Sequence, residues 1–272
     1  MDADQQGVIA SPVAIGSSRG GPVDHTLRRD RWWVRPAATG AALLAFAVYS
    51  TWAAFTNTHY YAGPTVGRDY LSPFYSPCIS SNCAFKFGPV VGSWWHLSPA
   101  LLVLVFPLGF RTTCYYYRRS YYRSFFRAPP ACAVPDAPKR YSGESRFPLL
   151  AQNLHRYFLY FALIFNVVLT FDAVEAFRFP GGFGVALGSL VLTVDAVLLW
   201  LYSLSCHSCR HLCGGRLDLF SQHPWRHAIW RRLSVLNKYH NRFAWASLFW
   251  VAFTDFYVRL VASGAIHDPR LF

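Results

Sequence analysis

Apolar positions along this chain come as long unbroken runs, and the stretches between the runs are dense in arginine. A helix that crosses a bilayer needs about 20 mainly apolar residues. Five runs meet that length, at about 37–55, 94–117, 149–171, 183–205 and 243–262. Pro99 and Pro107 fall inside the second, where membrane helices tolerate them. The fifth carries Asp255 and Arg259, spaced i, i+4 as a structural ion pair near one surface. The pattern predicts an all-α polytopic membrane protein, a five-transmembrane-helix bundle over residues 32–272. Residues 1–31 form a Gly-, Ser-, Asp- and Pro-containing tail expected to be disordered.

Composition agrees with that class: 53% of the residues are hydrophobic, 18% aromatic and only 14% charged. The net charge of +13 would suit a nucleic-acid binder, but the basic residues sit beside the spans, where topology accounts for them. The stretches before the first span, at 118–146 and at 210–238 carry 5, 7 and 6 Lys and Arg, 18 in all, against 5 in the alternate stretches. The heavy side is expected to be cytoplasmic, with the N-terminus inside and the C-terminus outside. No charged segment followed by a short apolar run and a cleavage site opens the chain, so no cleaved signal is expected. On the outer side, Cys78 and Cys83 are close enough in sequence for a disulfide in an oxidising compartment.

Candidate chemistry gathers at the inner ends of the spans. Residues 203–215 hold three of the seven cysteines and two of the ten histidines. Cys114 lies near the inner end of span two, His155 near the start of span three, Cys206 at the end of span four and His240 at the entry to span five. At about 1.5 Å of rise per residue these four fall within a turn or two of one depth. Two thiols and two imidazoles suit a Rieske-type [2Fe–2S] centre, two Cys on one iron and two His on the other. Cys209 is a competing thiol three residues from Cys206, and His207 and His211 are alternative imidazoles. A b-type haem between His155 and His240 is a rival reading, and a structural zinc site a weaker one.

Polar residues within the spans are functional candidates by default. Asp195 and Asn166 are expected at similar depth facing one interior, where one could hydrogen-bond the other or both could line a transporter or channel pathway. The sequence shows no internal repeat or paired broken helices of the transporter kind. Arg111, Arg156 and Tyr239 stand close to the Cys/His layer, where snorkelling to the headgroups is an ordinary role for such residues. Trp225–Leu233 reads as an amphipathic stretch lying in the interface.

Three strings carry a resemblance. They are Tyr115-Tyr116-Tyr117-Arg118-Arg119-Ser120-Tyr121-Tyr122-Arg123-Ser124-Phe125-Phe126, Cys206-His207-Ser208-Cys209-Arg210-His211-Leu212-Cys213-Gly214-Gly215, and Phe243-Ala244-Trp245-Ala246-Ser247-Leu248-Phe249-Trp250 with Asp255. Together they resemble the single-chain membrane anchor of actinobacterial succinate dehydrogenase, respiratory complex II. The resemblance implies a plasma-membrane subunit that holds a flavoprotein and an iron–sulfur subunit, and passes electrons from succinate to a quinone, taken to be menaquinone, with Arg111, Arg156 and Tyr239 as candidate quinone contacts. Many relatives carry b haems on histidines at two depths. This chain lacks a second intramembrane histidine pair, which favours iron–sulfur chemistry in the comparison. Succinate chemistry itself is expected to lie outside this chain.

Overall fold

The computed structural model describes residues 28–79, 98–137, 145–147, 149–215 and 217–272. Helix α1 (Val34–Thr56) is a continuous span. Its Leu44, Val48, Trp52 and Phe55 are exposed on one side, while Gly40, Ser50, Ala53 and Ala54 are buried on the other. Small residues let neighbouring backbones approach where lipid offers no hydrophobic drive for helices to associate.

The second apolar run does not form one straight helix over 94–117. Residues 94–97 lie outside the described set, and α2 (Ala100–Val103) leads into α3 (Val105–Thr112). The chain then breaks at Cys114 and leaves through α4 (Tyr115–Tyr121) and a π turn at Tyr122–Phe126, bent 78° from the first segment. A 3-10 turn at Leu149–Leu154 runs directly into α5 (His155–Glu175), so His155 is the first α-helical residue of a helical span that begins at Leu149. Helix α6 (Leu187–Leu204) begins later than the expected residue 183, because Phe183 belongs to a two-residue strand pair. Then come α7 (His207–Gly214), the amphipathic α8 (Pro224–Asn237) and α9 (His240–Ala262).

Three helices, α1, the α5 segment and α6, are long and apolar enough to cross a membrane, and a fourth crossing is available if the bent pair counts as one. Helix α9 has the length, but Arg242, Asp255 and Arg259 dilute its apolar character. Short β-structure accompanies the helices at the end of the bundle away from the Cys/His residues: β1 (Tyr61–Ala62) pairs antiparallel with β2 (Tyr70–Leu71), and β3 (Arg178–Phe179) with β4 (Gly182–Phe183).

Two buried charge networks tie the end of the bundle opposite the Cys/His layer. Arg259 Nε lies 2.8 Å from Asp255 Oδ2, the ion pair expected from their spacing, and its guanidinium also donates to the carbonyls of Ala53 and Thr58. Tyr49 and Ser72 donate to the same carboxylate, so α1, the first loop and α9 are joined through Asp255. Cys78, in that loop, is buried and disulfide-bonded; its expected partner Cys83 lies outside the described residues.

The second network centres on Asp268, past the end of α9. Its carboxylate accepts from Arg68 Nε at 2.6 Å, Tyr70 Oη at 2.8 Å, Tyr257 Oη at 2.6 Å and the backbone N–H of Gly188 at 2.9 Å. Burial by itself would raise the pKa of this acid, but the hydrogen bonds from Tyr257, Arg68, Tyr70 and Gly188 outweigh it and hold it below the ordinary carboxylate value. A group depressed on folding contributes stability that is full above its unfolded pKa of about 4 and is lost as pH falls through the folded value. Protection of the amides at Val185–Leu187 and at the C-terminal residues, taken relative to the intrinsic exchange rate at each pH, is therefore expected to hold from pH 7 to 5 and to fall at lower pH. Unchanged protection at pH 3 would show that the carboxylate does not hold the segment.

Candidate functional site

The four residues expected in one layer line one cavity of about 460 Å³: Cys114, His155, Cys206 and His240. Each sits at a helix start. Cys114 and Cys206 are the extended residues that precede α4 and α7, with φ/ψ of −68°/134° and −63°/139°. Their carbonyls accept the first bonds of those helices, from Arg118 N and Arg210 N. His155 and His240 are the first residues of α5 and α9. Helix starts present N–H groups and the positive end of the peptide dipole, which favour anionic charge, but burial outweighs them here and pushes both thiols up.

The two halves of the layer repeat each other in sequence and in geometry. Phe110-Arg111-Thr112-Thr113-Cys114 and Tyr202-Ser203-Leu204-Ser205-Cys206 share an aromatic residue, a hydroxyl and a cysteine at the same spacing. Phe110 stacks on His155 with centroids 4.8 Å apart and planes at 4°; Tyr202 stacks on His240 at 5.1 Å and 8°. Thr113 Oγ1 lies 3.0 Å from His155 Nδ1, and Ser205 Oγ lies 2.7 Å from His240 Nδ1. The far nitrogens cross over: His155 Nε2 is 3.1 Å from Cys206 Sγ, and His240 Nε2 is 3.5 Å from Cys114 Sγ.

The bonds made by the two hydroxyls fit one pair of imidazole tautomers. Thr113 Oγ1 already donates to Gly109 O at 2.7 Å, and Ser205 Oγ to Tyr202 O at 3.0 Å. Each oxygen is thus left as an acceptor for an Nδ1–H, and each Nε2 keeps its lone pair toward the thiols. Close helix approach makes the first of these contacts possible: a Cβ at Gly109 would stand 2.3 Å from the Phe158 ring of α5. The broken ends are capped from a distance. Tyr121 Oη donates to Thr112 O at 3.0 Å, and Asn237 Nδ2 to Ser205 O at 2.7 Å.

Arg111 is buried behind the layer. It does not line the 460 Å³ cavity and borders a small internal one with Asn166, Tyr202 and Ser203. Its guanidinium donates to Tyr117 Oη and Ser247 Oγ and lies 4.9 Å from the centroid of the Tyr202 ring. Among the described residues no carboxylate pairs with it. The buried Asp195 carboxyl lies within electrostatic range of this guanidinium without touching it, so the cation has an acid near it and no direct ion pair.

Other expected residues fall elsewhere. Cys209 is buried but does not line the cavity; burial, with Cys213 next to it, pushes its thiol up to about 11. His207 reaches the cavity edge, whereas His211 only packs on His207, with ring centroids 4.3 Å apart. Arg156 is exposed and Tyr239 half-exposed beneath Arg242, and neither lines the cavity. Asn166 does not bond Asp195. It donates to Leu199 O at 3.2 Å and Ser203 Oγ at 3.0 Å, one and two turns along α6 from Asp195, because the helices cross at a different register from the one inferred by counting. Asp195 is buried with Oδ1 unbonded. Thr113 and Ser205 escaped the sequence reading; the recurring hydroxyl–cysteine pair at two inner span ends was their signal.

No group of three or more His, Cys, Asp or Glu converges on one ion position among the described residues. The four donors instead line one cavity as two mixed contacts, His155 with Cys206 and His240 with Cys114. For haem, the two Nε2 atoms would have to face each other across an open slot, and here each faces a thiol.

A family model described as actinobacterial succinate dehydrogenase subunit SdhC matches residues 34–264. Among solved structures the chain is similar to one in the Mycobacterium smegmatis Sdh1 complex in the apo form, at 49% identity and a TM-score of 0.85, covering 94% of this chain and 98% of that one. No curated protein matches. The transporter and channel reading thereby loses its ground, since the match runs through all the span helices and Asp195 and Asn166 form no joint polar path. This chain belongs to the actinobacterial succinate dehydrogenase subunit SdhC family.

Proposed function

We propose that this chain, as the membrane anchor of its succinate dehydrogenase, holds a Rieske-type [2Fe–2S] centre on Cys114, Cys206, His155 and His240, and delivers electrons from the partner iron–sulfur subunit to a quinone, menaquinone in this reading. The repeated aromatic–hydroxyl–cysteine segment carries the proposal: two equivalent helix breaks supply two thiols, and two histidines with preset tautomers stand across from them. Bound there, the centre supplies one-electron transfer at a potential raised by histidine ligation. The chain's own residues do the rest. Thr113 and Ser205 hold the imidazoles by Nδ1, Phe110 and Tyr202 fix the ring planes, and Arg111 favours added negative charge. Tyr239 and Arg156, adjacent in sequence to His240 and His155, are candidate quinone contacts. The flavoprotein subunit oxidises succinate, and no residue of this chain takes part in that step.

In the complete complex, changing His155 and His240 together to Ala is expected to abolish quinone reduction and the Rieske-type EPR signal, while succinate oxidation by an artificial acceptor continues. Full quinone activity, or a b-haem Soret band lost with the same histidines, would overturn the iron–sulfur assignment. Thr113→Val and Ser205→Ala should each lower cluster retention or quinone activity by roughly 10- to 100-fold, the usual effect of losing a support to a ligating histidine. They should also shift the EPR g-values of the cluster that remains; a merely packing role would leave those values unchanged.

The same reading has five crossings, with α9 as the fifth because its Asp255 and Arg259 pair with each other and one face of it packs on α6. The N-terminus is then cytoplasmic and the C-terminus outside. A protease-cleavable tag after Phe272 should be cut in intact spheroplasts and protected in inverted vesicles; the reverse would remove one crossing.

A further inference from the structure

The end of the bundle that carries the Cys/His layer has a second concavity, a groove of about 650 Å³ between the start of α1, α4 with its π turn, and the first turns of α9. Arg31, Arg35, Arg119 and Arg123 line it, with Trp32 and Trp245. Arg28 closes one side: it pairs with Asp30 and donates to Cys132 O at 2.9 Å. That contact consumes the single carboxylate in the lining. Among the described residues the other four guanidiniums make no hydrogen bond or ion pair.

Membrane topology asks only that arginines lie on one side of the bilayer, each in water. It does not ask that four of them share one concavity, where they repel each other unless an anion lies between. Guanidinium forks match phosphate oxygens bidentately, and basic pockets between membrane helices at this level suit phospholipid headgroups. The two tryptophans place the groove at the headgroup level. Below it, Val34, Leu44 and Val48 of α1 are exposed and apolar, a surface that acyl chains can cover. We propose that this groove binds an anionic phospholipid, with charge and room for a headgroup of two phosphates, as a bound lipid of the assembled complex.

The test uses the whole complex, washed in detergent and supplied with diphosphatidylglycerol, phosphatidylcholine or inorganic phosphate, with native mass spectrometry and the thermal midpoint as readouts. Diphosphatidylglycerol alone is expected to stay bound and raise the midpoint. The triple variant Arg35→Gln, Arg119→Gln, Arg123→Gln should weaken retention by on the order of 100-fold, at about 1 kcal/mol per arginine. Arg231→Gln with Arg232→Gln, outside the groove, should leave retention unchanged. A photoactivatable form of the lipid should crosslink wild-type peptides spanning 116–124, which decides the matter even if the triple variant fails to assemble. Equal stabilisation by inorganic phosphate, equal retention by the triple variant, crosslinks confined to other peptides, or partner-subunit release without a change in lipid would each overturn the proposal.

Discussion

A helix that stops at the edge of a bilayer leaves its last carbonyls and the N–H groups of the next helix to be satisfied by something other than bulk water. In this chain that constraint is met twice in the same way. Spans ending in α3 and α6 break at a cysteine, the cysteine carbonyl starts the next helix, and a side chain from elsewhere takes a carbonyl of the old one. The breaks turn α4 and α7 away from their spans, which opens the space that the two histidine-led helices α5 and α9 fill. The positions of all four candidate ligands follow from how the backbone solves its hydrogen bonding at these two points.

Electrostatics then separates the two ends of the bundle. At the end opposite the layer, buried charges are closed off in pairs and networks: Arg259 with Asp255, and Arg68 with Asp268 under two tyrosines and a backbone N–H. These neutralised sets hold loops and helix ends together and are suited to structure. At the Cys/His end fewer charges are closed off. Arg111 makes no direct ion pair among the described residues, and four guanidiniums share the groove beside α1. An open positive field around helix starts is a place for anionic groups, whether thiolates with a metal or phosphates.

The hydrophobic runs located most of the bundle because length and apolarity are local properties of the chain. The chemistry-bearing layer was legible for the same reason: Cys114, His155, Cys206 and His240 stand at run ends, and counting along helices put them at one depth. The register between helices was not legible. Asn166 meets Leu199 and Ser203 and leaves Asp195 aside, since a shift of one turn between α5 and α6 costs nothing that either sequence records alone. The cysteines of residues 206–213 looked equivalent in sequence, yet burial on different sides of a short helix keeps Cys206 in the cavity and Cys209 out of it.

Spans, the asymmetry of basic residues and the four ligand candidates could be read from residue order, because each depends on neighbours within a few turns. The helix breaks and the imidazole tautomers required the folded chain. Asn237 caps Ser205 from 32 positions away, and Thr113 meets His155 from 42. A break that is stabilised by a distant side chain has no local signature beyond a hydroxyl and a cysteine. The nitrogen of a histidine that keeps its lone pair is chosen by an oxygen on another helix.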